Sequence, residues 1–241
     1  MGKSTQISCL SLLFLLPSWR FVGKLKETIL KHLVIIGARG AGRETYLTAT
    51  KSIGYHVDYD IKGFLDGKSD ALSGLLNYPP ILSSVEDYQV QQNDVFVCAL
   101  GDPYWRKHYA DIITEKGGFF YTLIDKTARI GCNAIIGKGC IIRDYAMISC
   151  DTIIGDFTYI QPFCVIGHDS IVGKYCHLNT YSFMGGYSQM DDLSIIHTRG
   201  TLFPHKRMGK ESTIGAGSVA MTNVKDGTTV VGNPARILCT K

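Results

Sequence analysis

From Ile130 to Ile214 every sixth residue is a bulky apolar one, fifteen in succession without a gap: Ile130, Ile136, Ile142 and onward through Leu178, Met184 and Met190 to Met208 and Ile214. Four positions after each stands a small residue, from Ala134, Cys140 and Ala146 to Ser212 and Ser218, with Lys206 as the exception. Helices repeat every 3.6 residues and strands every two, so neither produces a beat of six. Large and small side chains sharing a narrow interior at that interval predict a parallel β-helix built from hexapeptides. If each hexad is a short strand and a corner, three hexads close a triangular coil, residues eighteen apart stack, and fifteen hexads give five coils. Glycine often follows the aliphatic position, as at Gly131, Gly137, Gly155, Gly167, Gly173, Gly209 and Gly215, where this reading expects the chain to need freedom to turn. Lys206, inside Phe203-Pro-His-Lys-Arg207, predicts a corner that loops out of its coil.

The pattern upstream is different. Lys31-His-Leu-Val-Ile-Ile-Gly37 reads as a buried strand, and a glycine loop and a helix from Arg43 to Ile53 follow it. Further strands are expected at His56 to Leu65, Asp94 to Leu100 and Phe119 to Ile124, with a helix from Pro103 to Glu115. Strands alternating with helices predict a mostly parallel sheet with its ligand crevice at the carboxyl ends of the strands. The expected organisation is an extension of unknown role over 1–31, a Rossmann-like α/β domain over 32–125, the β-helix over 126–221 and a tail over 222–241. The apolar run Cys9 to Leu16 is too short to cross a bilayer and makes a poor signal peptide, so stable membrane insertion is not expected.

Composition narrows the classes. With 241 residues, 45% of them hydrophobic, the chain has ample core for one large or two small domains. A net charge of +4 spread over both halves gives no nucleic-acid footprint. The eight cysteines show no C-x-x-C spacing, and Cys140, Cys164 and Cys176 fall in the small inward slot, which makes them reduced core residues.

Two groups of residues suggest chemistry. Gly37, Gly40 and Gly42 lie between a strand and a helix, where free amides and the positive helix end suit a phosphate. Their G-x-x-G-x-G spacing departs from the dinucleotide fingerprint, so a nucleotide diphosphate fits better than NAD, although a plain tight turn would use the same glycines. Asp66 ends the second strand and could accept a hydrogen bond from a ribose or an amine. Among the histidines, His168 and Asp169 are successive corner residues, with Cys150 stacked below His168 and Gly186 above it, which leaves room for a thin ligand along the column. An imidazole there can take a proton from an attacking amine or hydroxyl near neutral pH. His177 points outward from a flat face with Tyr159 beneath it, while His197 and His205 read as solvated.

The combination of Ile35-Ile-Gly-Ala-Arg-Gly-Ala-Gly-Arg-Glu-Thr-Tyr46, Gly63-Phe-Leu-Asp66, Ile166-Gly-His-Asp-Ser-Ile171, Ile214-Gly-Ala-Gly-Ser-Val219 and Val230-Val-Gly-Asn-Pro-Ala-Arg236 resembles the bacterial hexapeptide-repeat sugar acyltransferases of the sialic acid O-acetyltransferase and UDP-4-amino-sugar N-acetyltransferase (pilin-glycan) type. The similarity spans about residues 32 to 238. It implies a left-handed β-helix, a homotrimer, acetyl-CoA between neighbouring columns, no metal, and a nucleotide-linked sugar held by the small domain, in cytoplasmic synthesis of surface glycans. By the same resemblance His168 is the general base and Asp169 its companion. His177 contacts the acetyl group or acceptor, and Gly185, Gly186, Gly215 and Gly217 line the pantetheine run. Gly37, Gly40, Gly42 and Asp66, with Gly101 and Asp102, form the substrate positions. Asp125-Lys126 stands where relatives often carry His-Pro, and Asp169 is shorter than the Glu some carry, so the acceptor and the choice between nitrogen and oxygen stay open. Two other classes share the column: a γ-type carbonic anhydrase with three His on a metal, and a non-catalytic trimeric scaffold.

Overall fold

The computed structural model describes residues 30–240, so the extension expected over 1–31 lies almost wholly outside the described residues. The small domain runs β1 (Lys31–Ile36), α1 (Gly40–Lys51), β2 (Tyr59–Leu65), β3 (Ile81–Ser83), β4 (Asp94–Cys98), α2 (Pro103–Glu115) and β5 (Phe119–Phe120). Its five strands are all parallel, in the order β3-β2-β1-β4-β5. β1 and β4 are central, which accounts for their unbroken apolar runs, whereas the unexpected β3 is three half-buried residues with no period to read. The segment expected as one strand from Phe119 to Ile124 divides. Phe119 pairs with Val95 in this sheet, and β6 (Leu123–Ile124) pairs with Ile141–Ile142. The column therefore opens at Leu123, ahead of the expected boundary.

Sixteen two-residue strands, β7 to β22, run from Arg129–Ile130 to Val219–Ala220. They stack as parallel rungs eighteen residues apart, Met147 on Arg129 and Val165 on Met147, in three faces. Face one carries Ile141, Tyr159 and His177 outward, face two Met147, Val165 and Phe183, and face three Ile153, Ile171 and Gln189. The periodic apolar residues from Ile142 to Ile214 are at most 1% exposed; only Ile130 and Ile136, at the open end, are not. Hydroxyls in the small slot are satisfied between coils, with Thr158 Oγ1 donating to the Gly173 carbonyl at 2.8 Å and Ser194 Oγ to that of Gly209 at 2.7 Å.

Two expectations need correction. The glycines after the aliphatic positions do not supply positive φ; a Cβ there would strike the next coil, as Gly131 against Cys150 N at 2.5 Å and Gly173 against Asp192 N at 2.6 Å. The left-handed conformation falls two residues later, at every sixth position from Asn133 to Gly217, with φ between 55 and 66, and mostly on large residues such as Tyr145, Phe163 and Tyr181. Each non-glycine one costs about 1–2 kcal/mol, offset by inter-coil hydrogen bonds and by rings stacked at 5.0 to 5.1 Å. The corner at Lys206 does not loop out: its carbonyl accepts from Gln189 N, and Arg207 and Met208 keep register. The tail is structured too, since β23 (Thr228–Gly232) extends face one and β24 (Ala235–Thr240) returns antiparallel to it.

The small domain sits on face one. Ile141 and Tyr159 are buried there in one cluster with Leu33, Phe64 and Val97, and Tyr159 Oη meets Thr45 Oγ1 at 3.2 Å. Arg143 pairs with Glu44 of α1 at 2.5 Å.

Candidate functional site

A cavity of about 230 Å³ opens at the carboxyl ends of β1, β2 and β4, lined by Gly37, Arg39, Gly42, Asp66, Leu100, Gly101 and Tyr109 among others. Gly37 has φ +94, and a Cβ on Gly42 would fall 1.8 Å from the Gly37 carbonyl oxygen, so the loop folds tightly onto the start of α1 only with these glycines. Gly40 meets nothing within 4 Å and faces a separate groove with Arg43, Tyr46 and Tyr78. Asp66 spends Oδ2 on Ala38 N and Oδ1 on Lys68 N, both at 2.9 Å, which fixes the loop's shape. Asp102 does not line the cavity. Its Oδ1 caps α2 by accepting from Tyr104 N and Trp105 N, at 2.8 and 3.1 Å. Arg39, which the sequence reading did not single out, lies at the mouth with no carboxylate partner among the described residues.

His168 and Asp169 stand at the corner between faces two and three. Asp169, with φ 55, turns its carboxylate back so that Oδ2 accepts from His168 Nδ1 at 2.8 Å. The companion therefore touches the ring directly, a contact the sequence left undecided. With the proton on Nδ1, the lone pair is on Nε2, which lies 2.8 Å from where a Cβ on Gly186 would be. Tyr187 meets the imidazole edge-on at 5.1 Å, and His205 stacks on Tyr187 at 5.0 Å. Gly185 and Gly186 sit in the coil above; Gly185 N already donates to Leu202 O at 2.9 Å. Gly215 N and Gly217 N are likewise committed, to Val230 O at 2.8 Å and Thr198 O at 2.9 Å.

His177 faces outward as expected, but the small domain covers it. The ring stacks on Tyr159 at 5.1 Å; Nδ1 donates to the Gly101 carbonyl at 2.5 Å, and Nε2 is 3.4 Å from Gln161 Nε2. Gln161 Oε1 accepts from Arg143, so its amide nitrogen is the donor and His177 Nε2 the acceptor. Burial first, then the nearby Arg106 cation, push the His177 pKa down to about 3, which keeps the ring neutral. His168 and His177 share a coil but not a side: a corner between faces two and three lies opposite face one. The cavity at the strand ends and the corner imidazole of one chain are thus on opposite sides of the column.

Among the described residues no group of three or more His, Cys, Asp and Glu could hold a metal ion, and no helix is long and apolar enough to cross a membrane. Cys140, Cys164 and Cys176 are buried free thiols raised by burial to about 12, 11 and 12.

The family model described as the GMPPB C-terminal domain matches residues 121–216. No curated protein matches the chain in sequence. Among solved structures the fold is shared with the acetyltransferase domain of PglB from Neisseria gonorrhoeae, at 24% identity over 86% of this chain and 100% of that one, with a TM-score of 0.79. The same domain has been solved with acetyl coenzyme A. PerB from Caulobacter crescentus, in complex with CoA and GDP-perosamine, gives 21% identity over 86% and 97% of the two chains and a TM-score of 0.78. WeeI from Acinetobacter baumannii gives 22% over 86% and 100%, with a TM-score of 0.72. What the chain shares with these structures is the fold of both its modules, over most of each chain.

Proposed function

We propose that the chain transfers an acetyl group from acetyl-CoA to an amine or hydroxyl of a nucleotide-linked sugar, with His168 as general base. The observation that carries this reading is the exposed corner imidazole, oriented by Asp169 through Nδ1 and open at Nε2 over Gly186. The acceptor attacks the thioester carbon and passes its proton to Nε2. The new C–N or C–O bond forms as the C–S bond breaks, and the imidazolium returns the proton to the leaving thiolate. Asp169 holds the ring in one tautomer and stabilises its charged form. Because Gly185 N–H is spent inside the column, the amide of Gly186 is assigned to the oxyanion. Gly217 is exposed with open space beside it and is read as facing the pantetheine chain, whereas Gly215 is buried beneath Val231 and drops out.

Gly37, Gly42, Asp66 and Gly101 are read as the nucleotide side, with the α1 amino end and Arg39 toward the diphosphate. Gly40 and Asp102 drop out of this set, one facing another groove and the other occupied as a helix cap. His177 drops out of the acetyl contacts, because both its ring nitrogens are engaged within the chain.

The reading requires more than one copy. Since each cavity lies across the column from its own His168, a sugar held by one chain reaches the imidazole of a neighbour. The faces flanking that corner suit such packing, with Met147 and Phe183 exposed on one and Ile135, Ile153 and Ile171 on the other. A left-handed column in a homotrimer answers both needs. Two solved neighbours point the same way in substrate class, one holding CoA with GDP-perosamine and the other acetyl-CoA. We assign the protein to the cytosol, where acetyl-CoA and activated sugars are made, in the synthesis of bacterial surface glycans. The spacings of nine, twenty and eight between His168, His177, His197 and His205, and the α/β module ahead of the column, speak against a carbonic anhydrase.

The test is a thiol-release assay with acetyl-CoA against UDP-, GDP- and dTDP-linked amino sugars and free sialic acid. Release of CoA with at least one nucleotide-linked sugar is expected. Silence across the panel would favour the scaffold reading.

A further inference from the structure

Arg106 is 1% exposed, yet no carboxylate pairs with it among the described residues. A buried cation without a counter-charge costs several kcal/mol unless carbonyls replace its water, and an apolar side chain would fill the same space on the inner side of α2 beside Ala110 and Ile113. Three carbonyls do replace the water: Nη1 donates to Leu100 O at 2.6 Å, and Nη2 donates to Tyr175 O and Cys176 O at 2.8 and 2.9 Å. The first of these belongs to the wall of the cavity at the strand ends and the other two to a corner of the column. The guanidinium also lies 6.0 Å from the Tyr159 ring centroid, and its Nε has no partner. The next carbonyl along, that of Gly101, is held by His177 from the column itself. The carbonyls of two successive residues, Leu100 and Gly101, are thereby fixed, the first from α2 and the second from the column.

We propose that Arg106 and His177 are positioning residues that set the Leu100–Gly101 wall of the cavity against the column and so tune binding of a nucleoside diphosphate. This rests on the cavity being the nucleotide side of the acetyl-transfer site. A buried arginine bridging two modules through carbonyls alone gives directional anchoring that apolar packing does not, and neutral His177 supplies the second anchor.

The experiment measures calorimetric binding of UDP, GDP, dTDP and acetyl-CoA to the intact wild-type protein and to Arg106→Met, Arg106→Lys and His177→Phe. The phenylalanine keeps the ring on Tyr159 and removes the bonds to Gly101 and to Gln161. For whichever nucleotide the wild type binds, Arg106→Met and His177→Phe are each expected to weaken affinity about ten-fold, the order expected for a buried hydrogen bond to a carbonyl. Acetyl-CoA affinity should stay within about two-fold, and Arg106→Lys should recover part of the loss. Equal loss for nucleotide and acetyl-CoA would mean a general structural role and overturns the proposal. So does unchanged nucleotide binding in His177→Phe, a result that counts even if Arg106→Met fails to accumulate. Failure of the wild type to bind any of the three nucleotides overturns this proposal together with the nucleotide reading; wild-type binding with indifferent variants overturns this proposal alone.

Discussion

A methyl group at position 186 would lie 2.8 Å from Nε2 of His168, and that one distance links the column's eighteen-residue stacking to its chemistry. Because the imidazole is exposed and can rotate aside, Gly186→Ala should fold normally, its melting temperature unchanged within about 2 °C. Its turnover in the thiol-release assay should fall about a hundred-fold, within the range general-base catalysis contributes. Normal turnover would show that Nε2 need not stay where it is. Asp169→Asn keeps a residue that tolerates the left-handed corner but removes the carboxylate, so kcat should drop with little change in KM. A change confined to KM would make Asp169 a binding group. The His168, Gly186 and Cys150 column was legible in the sequence because stacking follows from the period alone. Asp169's contact was not, since adjacent residues meet only if the backbone turns back, and the positive φ at corners occupied by Tyr, Phe and Asp leaves no glycine mark to read.

Between elements, the consequential feature is the cover that the small domain places over face one. The hexads predicted that His177 points outward, and it does; they carry no record of which face another domain occupies. Arg106 left a fainter trace, standing on the helical stripe that Pro103, Ala110 and Ile113 bury. The junction makes stability depend on pH. The folded pKa of His177 is depressed to about 3 while the unfolded value is near 6.5, so the unfolded chain binds the extra proton in between. The stabilisation is complete above about pH 6.5 and is lost as pH falls toward 3, at about 1.4 kcal/mol per unit from this group. Denaturation with urea between pH 6 and 4 should approach that slope in the wild type and give a shallower one in His177→Phe; identical slopes would mean the ring titrates normally in the fold. Within the column, Ile160→Ala removes three fully buried side-chain carbons and should cost about 2–5 kcal/mol in the same experiment.

At the level of the whole molecule, the six-beat period and the strand-helix alternation were enough to give two modules in the right order. The boundary shifted because Leu123–Ile124 already lies on the column, and the tail proved to be a hairpin, since short β segments beyond the last hexad carry no repeat. The arrangement of the modules, with cavity and imidazole on opposite sides, could not be read from either pattern, and it is the basis of the proposed shared site. Tyr145, Phe163 and Tyr181 form an exposed ring stack at the corner beside face two, with Arg199 over Tyr181. If copies pack along these surfaces, sedimentation should give a trimer for the wild type and smaller species for Phe183→Glu, with activity lost in parallel; an active monomer would refute the shared site. The account stands or falls most directly on kcat and the acetyl-CoA dissociation constant of His168→Ala, measured with a sugar nucleotide that the wild type acetylates. It predicts a kcat lower by about 10²–10⁴ with acetyl-CoA affinity nearly unchanged. A variant that turns over like the wild type, or that loses acetyl-CoA binding as fully as turnover, would contradict it.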